Sequence, residues 1–165
     1  MTDLTETVLE EYFFLCLEER LQALAMPADV QLTLFPQGIA KVDELALEFD
    51  HALGMKWSAK RRSITSDQAA LLQRIDSTLD EMSGPKPFWT EDALRNSPEW
   101  EGVRSAAKQA LGSFGWEVKA PVWKHTYTYA QGGSISSVTS ISARHEELLR
   151  TWERERERRV NNSSE

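Results

Sequence analysis

One cysteine among 165 residues rules out an intramolecular disulfide, and three histidines leave little from which to build a metal centre. The cysteine, Cys16, sits in the apolar run Tyr12-Phe13-Phe14-Leu15-Cys16-Leu17. Glu10, Glu11, Glu18 and Glu19 flank that run, and their negative charge disfavours the thiolate that nucleophilic chemistry needs. Cys16 is therefore expected as a small buried hydrophobe. The same run is the longest apolar stretch, far short of the ~20 residues that span a bilayer. The N-terminus Met1-Thr2-Asp3-Leu4-Thr5-Glu6 has no basic segment ahead of an apolar one, so a cytoplasmic address is expected.

Sequence signatures of chemistry are equally scarce. His51, His125 and His145 are scattered: His51 has no His or Glu four residues away, and His145, though followed by Glu146 and Glu147, lacks the paired histidine of a zinc-binding helix. No glycine loop followed by Lys and Ser or Thr is present to cradle phosphate, and no dinucleotide fingerprint occurs. No Gly-x-Ser-x-Gly elbow supplies a nucleophile. Gly132-Gly133-Ser134 reads as a hairpin turn. Paired acids such as Asp43-Glu44 and Asp80-Glu81 are ordinary on solvated helix faces. No metal, cofactor or catalytic residue is expected from these patterns.

What the chain does contain suits a packed domain. Its hydrophobic fraction of 41%, with six Trp and six Phe, gives ample bulk for a core without a staple. The net charge of −7 is uneven. Residues 1–54 carry eleven acids against two bases, whereas Lys56, Lys60, Arg61 and Arg62 form a compact basic stretch. An acidic surface repels a phosphate backbone, so direct nucleic-acid binding is disfavoured, and it draws in a basic partner.

Periodicity predicts a predominantly helical α+β chain of about five helices, with a small antiparallel component. Leu9, Phe13, Cys16 and Arg20 fall on one line of a helix from Leu4 to Ala25, closed by Met26-Pro27. Val30-Gln31-Leu32-Thr33-Leu34 alternates as a half-buried strand does. After the turn at Pro36-Gln37-Gly38, Ile39 to Val42 is the second candidate for short strands near 30–42. Asp43 suits an N-cap for a helix carrying Leu45, Phe49 and Leu53 to Gly54. Thr65 and Gln68 have capping-box spacing ahead of the stripe Leu72, Ile75, Leu79 and Met82. Thr90 can cap a single short turn. Ser97-Pro98 starts a further helix with Trp100, Val103, Ala107, Ala110, Leu111 and Phe114 on one face.

The segment 116–141 changes texture and predicts a hairpin. Trp123, His125, Tyr127 and Tyr129 share one side of its first strand, and the returning half from Ile135 to Ile141 is mostly Ser and Thr. A last helix begins near Ser142 with Leu148, Leu149 and Trp152 as its only large apolar anchors. Its continuation Glu153-Arg154-Glu155-Arg156-Glu157-Arg158-Arg159 alternates in sign, which suits a solvated helix. One domain over residues 1–160 and a disordered tail over 161–165 complete the expected organisation.

These features point to a non-enzymatic protein that works by binding another protein of basic character, away from membranes. The expected contact residues are Glu10, Glu11, Glu18, Glu19, Asp43, Glu44, Glu48 and Asp50 from the acidic third. Trp123, Tyr127 and Tyr129 join them from the aromatic strand, because Tyr and Trp bury large areas at interfaces. A small, acidic, motif-free bacterial immunity protein or antitoxin that neutralises a basic toxin is one such protein. The alternatives are an enzyme with a motif-free site around His51, His125 or His145, and a homodimer exchanging its C-terminal hairpin and helix.

Overall fold

The computed structural model describes residues 4–55, 64–85 and 87–163, and the basic stretch Lys56 to Arg62 lies outside them. Among the described residues there are seven α-helices and one two-stranded antiparallel sheet. None of these helices is long and apolar enough to cross a membrane. Contacts gather the chain into two compact units, one of Cys16–Pro121 and the other of Met1–Leu15 with Val122–Glu165. Helix α1 (Leu4–Ala25) contributes its first part to the smaller unit and its second part to the larger.

In the larger unit, α1 is buried almost all round from Cys16 to Met26, as its lack of a polar face requires. The few polar side chains in this stretch bond mainly within the unit. Gln22 Nε2 donates to the Glu117 carbonyl at 2.9 Å. Arg20 Nε and Nη2 both donate to Glu48 Oε2, at 3.0 and 2.6 Å, and Glu19 Oε2 lies 3.8 Å from Arg20 Nη1. A charge-assisted pair of this kind is what permits three ionisable groups below 9% exposure.

The strands expected near 30–42 do not form. Pro27 instead opens the single helical turn α2 (Ala28–Gln31). The decisive residue is Gln31, whose side chain is fully buried. Its Nε2 donates to the carbonyls of Ala23 and Leu24 at 3.1 and 3.0 Å, capping the end of α1. Its Oε1 accepts from Arg104 Nη1 at 3.3 Å. Turned inward, that amide satisfies these groups, whereas among the described residues of this unit the alternating Val30, Leu32 and Leu34 have no neighbouring strand to pair with. Helix α3 (Lys41–Gly54) then starts two residues ahead of the expected cap, leaving Asp43 and Glu44 in its first turn, where negative charge suits the helix dipole.

The remaining helices follow their sequence signals. Thr65 and Gln68 make the reciprocal capping box of α4 (Ser66–Met82). Thr90 caps the short α5 (Glu91–Asn96) through the Ala93 N–H. Ser97 caps α6 (Pro98–Phe114), with Pro98 in its first turn. That helix runs through Gly112 and ends at Gly115, whose φ of +72° is the left-handed conformation a C-terminal stop requires. Helices α4 and α6 pack along each other, with α5 against α6. Phe49, Ile75, Leu94, Trp100 and Leu111 are fully buried in this unit.

In the smaller unit, β1 (Lys124–Tyr129) pairs antiparallel with β2 (Ile135–Ile141) in the register Tyr127 opposite Val138. The turn closes through Ala130 N–H to Ser134 O at 2.8 Å, with Gly132 and Gly133 at φ +101° and +84°. One extra residue, Ser136, bulges β2 opposite the Thr128–Tyr129 step. Helix α7 (Ala143–Asn162) follows, and His145 is its one buried residue. Here the helix enters the stretch expected as a tail, reaching Asn162 with Ser163 as C-cap. Paired charges line its surface, including Arg150 with Glu146 and Arg154 with Glu147, both at 3.3 Å.

Candidate interaction groove

Helical spacing determines which side chains of α3 and α4 are left over once the core is built. The buried stripe of α3 is Val42, Leu45, Phe49 and Ala52. Its flank is therefore Asp43, Ala46, Leu47 and Asp50, at i, i+3, i+4 and i+7. On α4 the buried stripe is Leu72, Ile75, Leu79 and Met82, and Asp76, Asp80 and the C-cap Ser83 flank its edge residue Leu79, the four repeating the same spacing. Both flanks, with Gly84 and Trp89, line a single groove of about 500 Å³.

The groove is acidic with an apolar floor. Four aspartates, Asp43, Asp50, Asp76 and Asp80, line it together with Ala46, Leu47, Leu79 and Trp89, and among the described residues its lining includes no Lys, Arg or His. Leu47 is 56% exposed, which leaves its apolar surface open to a ligand in the groove. Trp89 is held in place by its indole N–H, which donates to the Met82 carbonyl at 3.0 Å, and by an edge-on contact with Trp100 at 5.8 Å. Next to Asp43 on α3, the Glu44 carboxyl is pushed above its ordinary range. Partial burial is the main cause, followed by the charges of Glu48 and Asp43. Like charges concentrated in a concave, partly apolar surface focus the field that attracts a cation.

The residues expected from sequence to meet a partner separate into several environments. Asp43 and Asp50 line the groove, and Glu44 lies beside it. Glu19 and Glu48 face inward around Arg20, at 3% and 8% exposure. Glu18 is half-buried next to Gln22. In the smaller unit Glu11 is exposed and Glu10 half-buried, as are Trp123 and Tyr127. Tyr129 is 63% exposed, its ring 6.4 Å from that of Tyr127. Leu47, Asp76, Asp80 and Trp89 were not anticipated. The repeated i, i+3, i+4, i+7 flank on α4 was the signal that could have found the two aspartates.

The histidines occupy three separate settings. His51 is exposed on the last turn of α3. His125 Nδ1 lies 2.9 Å from the buried Ser140 Oγ across the hairpin. His145 Nδ1 accepts the Ser142 N–H at 3.2 Å at the start of α7, and its ring meets Tyr12 edge-on at 5.2 Å. Among the described residues, no group of three or more His, Cys, Asp or Glu is arranged to hold a metal ion. Comparison with protein-family models, with curated proteins and with solved structures finds no match.

Proposed function

We propose that this chain is a non-enzymatic binding protein that takes a basic protein partner in the groove between α3 and α4. The observation that carries this reading is the lining itself: four carboxylates gathered around an exposed leucine and a tryptophan. Hot spots of protein interfaces combine an apolar or aromatic anchor with complementary charge at its rim. The acidic excess of the first 54 residues adds long-range steering of a basic surface towards it. A cytoplasmic bacterial immunity protein or antitoxin, holding a basic toxin inactive by direct contact, is the particular form of this function we favour.

Co-expression with the product of the neighbouring gene tests that form. Protection of the host by the chain, and its loss when Asp43, Asp50, Asp76 and Asp80 are all changed to Asn, is the expected result. The partner should also be retained by the immobilised chain at low salt and released near 1 M salt, where screening contracts to about 3 Å. A partner held equally well by the fourfold variant, or with no salt dependence, would sink the groove as the contact site.

A further inference from the structure

We propose that the segment entering this groove is an amphipathic α-helix, carrying two basic side chains two turns apart with an aliphatic pair between them. The inference rests on the groove being the partner site, and it specifies what fits there. An extended peptide must find donors for its own carbonyls, and among the described residues the donor side chains of the lining are already engaged. The Trp89 indole N–H is committed to the Met82 carbonyl and the Ser83 hydroxyl to the Leu79 carbonyl, each at 3.0 Å. Among the described residues of this unit there is also no strand whose edge an extended segment could join. A helix satisfies its own main chain and asks the groove only for side-chain contacts.

The spacing of the carboxylates sets the pattern. Asp43 and Asp50 stand seven residues apart on α3, about 10.5 Å along its axis, with Ala46 and Leu47 between them. Asp76 and Asp80 stand one turn apart on the opposite wall. A docking helix with Lys or Arg at i and i+7 and Leu at i+3 and i+4 presents cations at the carboxylate interval and apolar groups to Leu47 and Trp89.

The test uses the full chain and two helical peptides of one composition. One has Lys at i and i+7 around Leu at i+3 and i+4, and the other has the lysines moved to the opposite face. Binding is followed by Trp89 fluorescence, with a Trp89→Phe variant to assign the signal. The in-phase peptide should bind at least about tenfold tighter than the permuted one. It should lose that advantage in the Asp43→Asn/Asp50→Asn variant, whose unchanged circular dichroism confirms folding. Equal binding of the two peptides overturns the helix proposal and leaves the acidic groove standing. Failure of both peptides while spermine binds overturns it in favour of a small polycation. Binding that persists after all four aspartates are changed to Asn overturns the groove reading as well.

Discussion

The two units are built on different physical terms. In the larger, Cys16–Pro121, the long helices bury stripes of Leu, Ile, Phe or Trp, and the few buried polar groups bond mostly to main-chain carbonyls and to one another. In the smaller, the sheet is a lone hairpin whose β2 strand is largely Ser and Thr, and α7 runs twenty residues with one of them buried. An isolated two-stranded hairpin is marginal in water, and a helix polar nearly all round depends on i,i+4 charge pairs. Stability should therefore be concentrated in the larger unit, whose packed helices also frame the groove. The smaller unit should open more readily.

The largest expected effect tests this contrast directly. Phe49 on α3 is 0% exposed, whereas Leu149 on α7 is 39% exposed. Phe49→Ala removes a buried ring and should cost about 3–5 kcal/mol. Leu149→Ala should cost under about 1 kcal/mol. Urea unfolding of both variants reads the difference. A loss at Leu149 equal to that at Phe49 would mean that α7 is anchored far more firmly than its exposure indicates.

An intermediate effect sharpens the account of the larger unit. Glu48→Gln removes the carboxylate that accepts two hydrogen bonds from Arg20 while both positions stay buried, and should cost about 3 kcal/mol. Made in a Glu19→Gln background, so that no carboxylate is left buried without its cation, the double change Arg20→Met/Glu48→Met replaces the ion pair with apolar volume and should recover most of that loss. If the double variant is less stable than the single one, the pair contributes net stability beyond offsetting its own desolvation.

Local signals carried most of this fold, because they act over three or four residues. The Thr65–Gln68 box, the Ser97-Pro98 start, the Gly115 stop and the glycine turn of the hairpin each satisfy backbone groups within their own segment. The failures are long-range. Alternation at Val30–Leu34 predicts a strand, yet Gln31 is drawn inward by carbonyls of Ala23 and Leu24 and by Arg104, 73 positions away. Likewise nothing local tells Glu48 from its acidic neighbours, since its partner Arg20 lies 28 positions off. Half of the groove's aspartates were among the expected contacts, but its other wall and Trp89 come from segments that meet only in three dimensions.

The smallest expected effect lies at Glu44, on the margin between core and groove. Its carboxyl titrates above the ordinary value of 4.5, through partial burial and then the charges of Glu48 and Asp43. A carboxyl raised by folding favours the folded state most when protonated. That contribution is complete below about pH 4.5 and is lost as pH climbs through the raised value. Glu44→Gln fixes the neutral form and so should stabilise the chain at pH 7, with no gain at pH 4. Solvent screening at a half-exposed site keeps the gain within about 0.5 kcal/mol, a rise in melting temperature of roughly 1–2 °C. Melting curves at the two pH values decide it. A gain of equal size at pH 4 would assign the effect to packing of the amide, and a loss at pH 7 would mean that the ionised carboxylate has a stabilising partner.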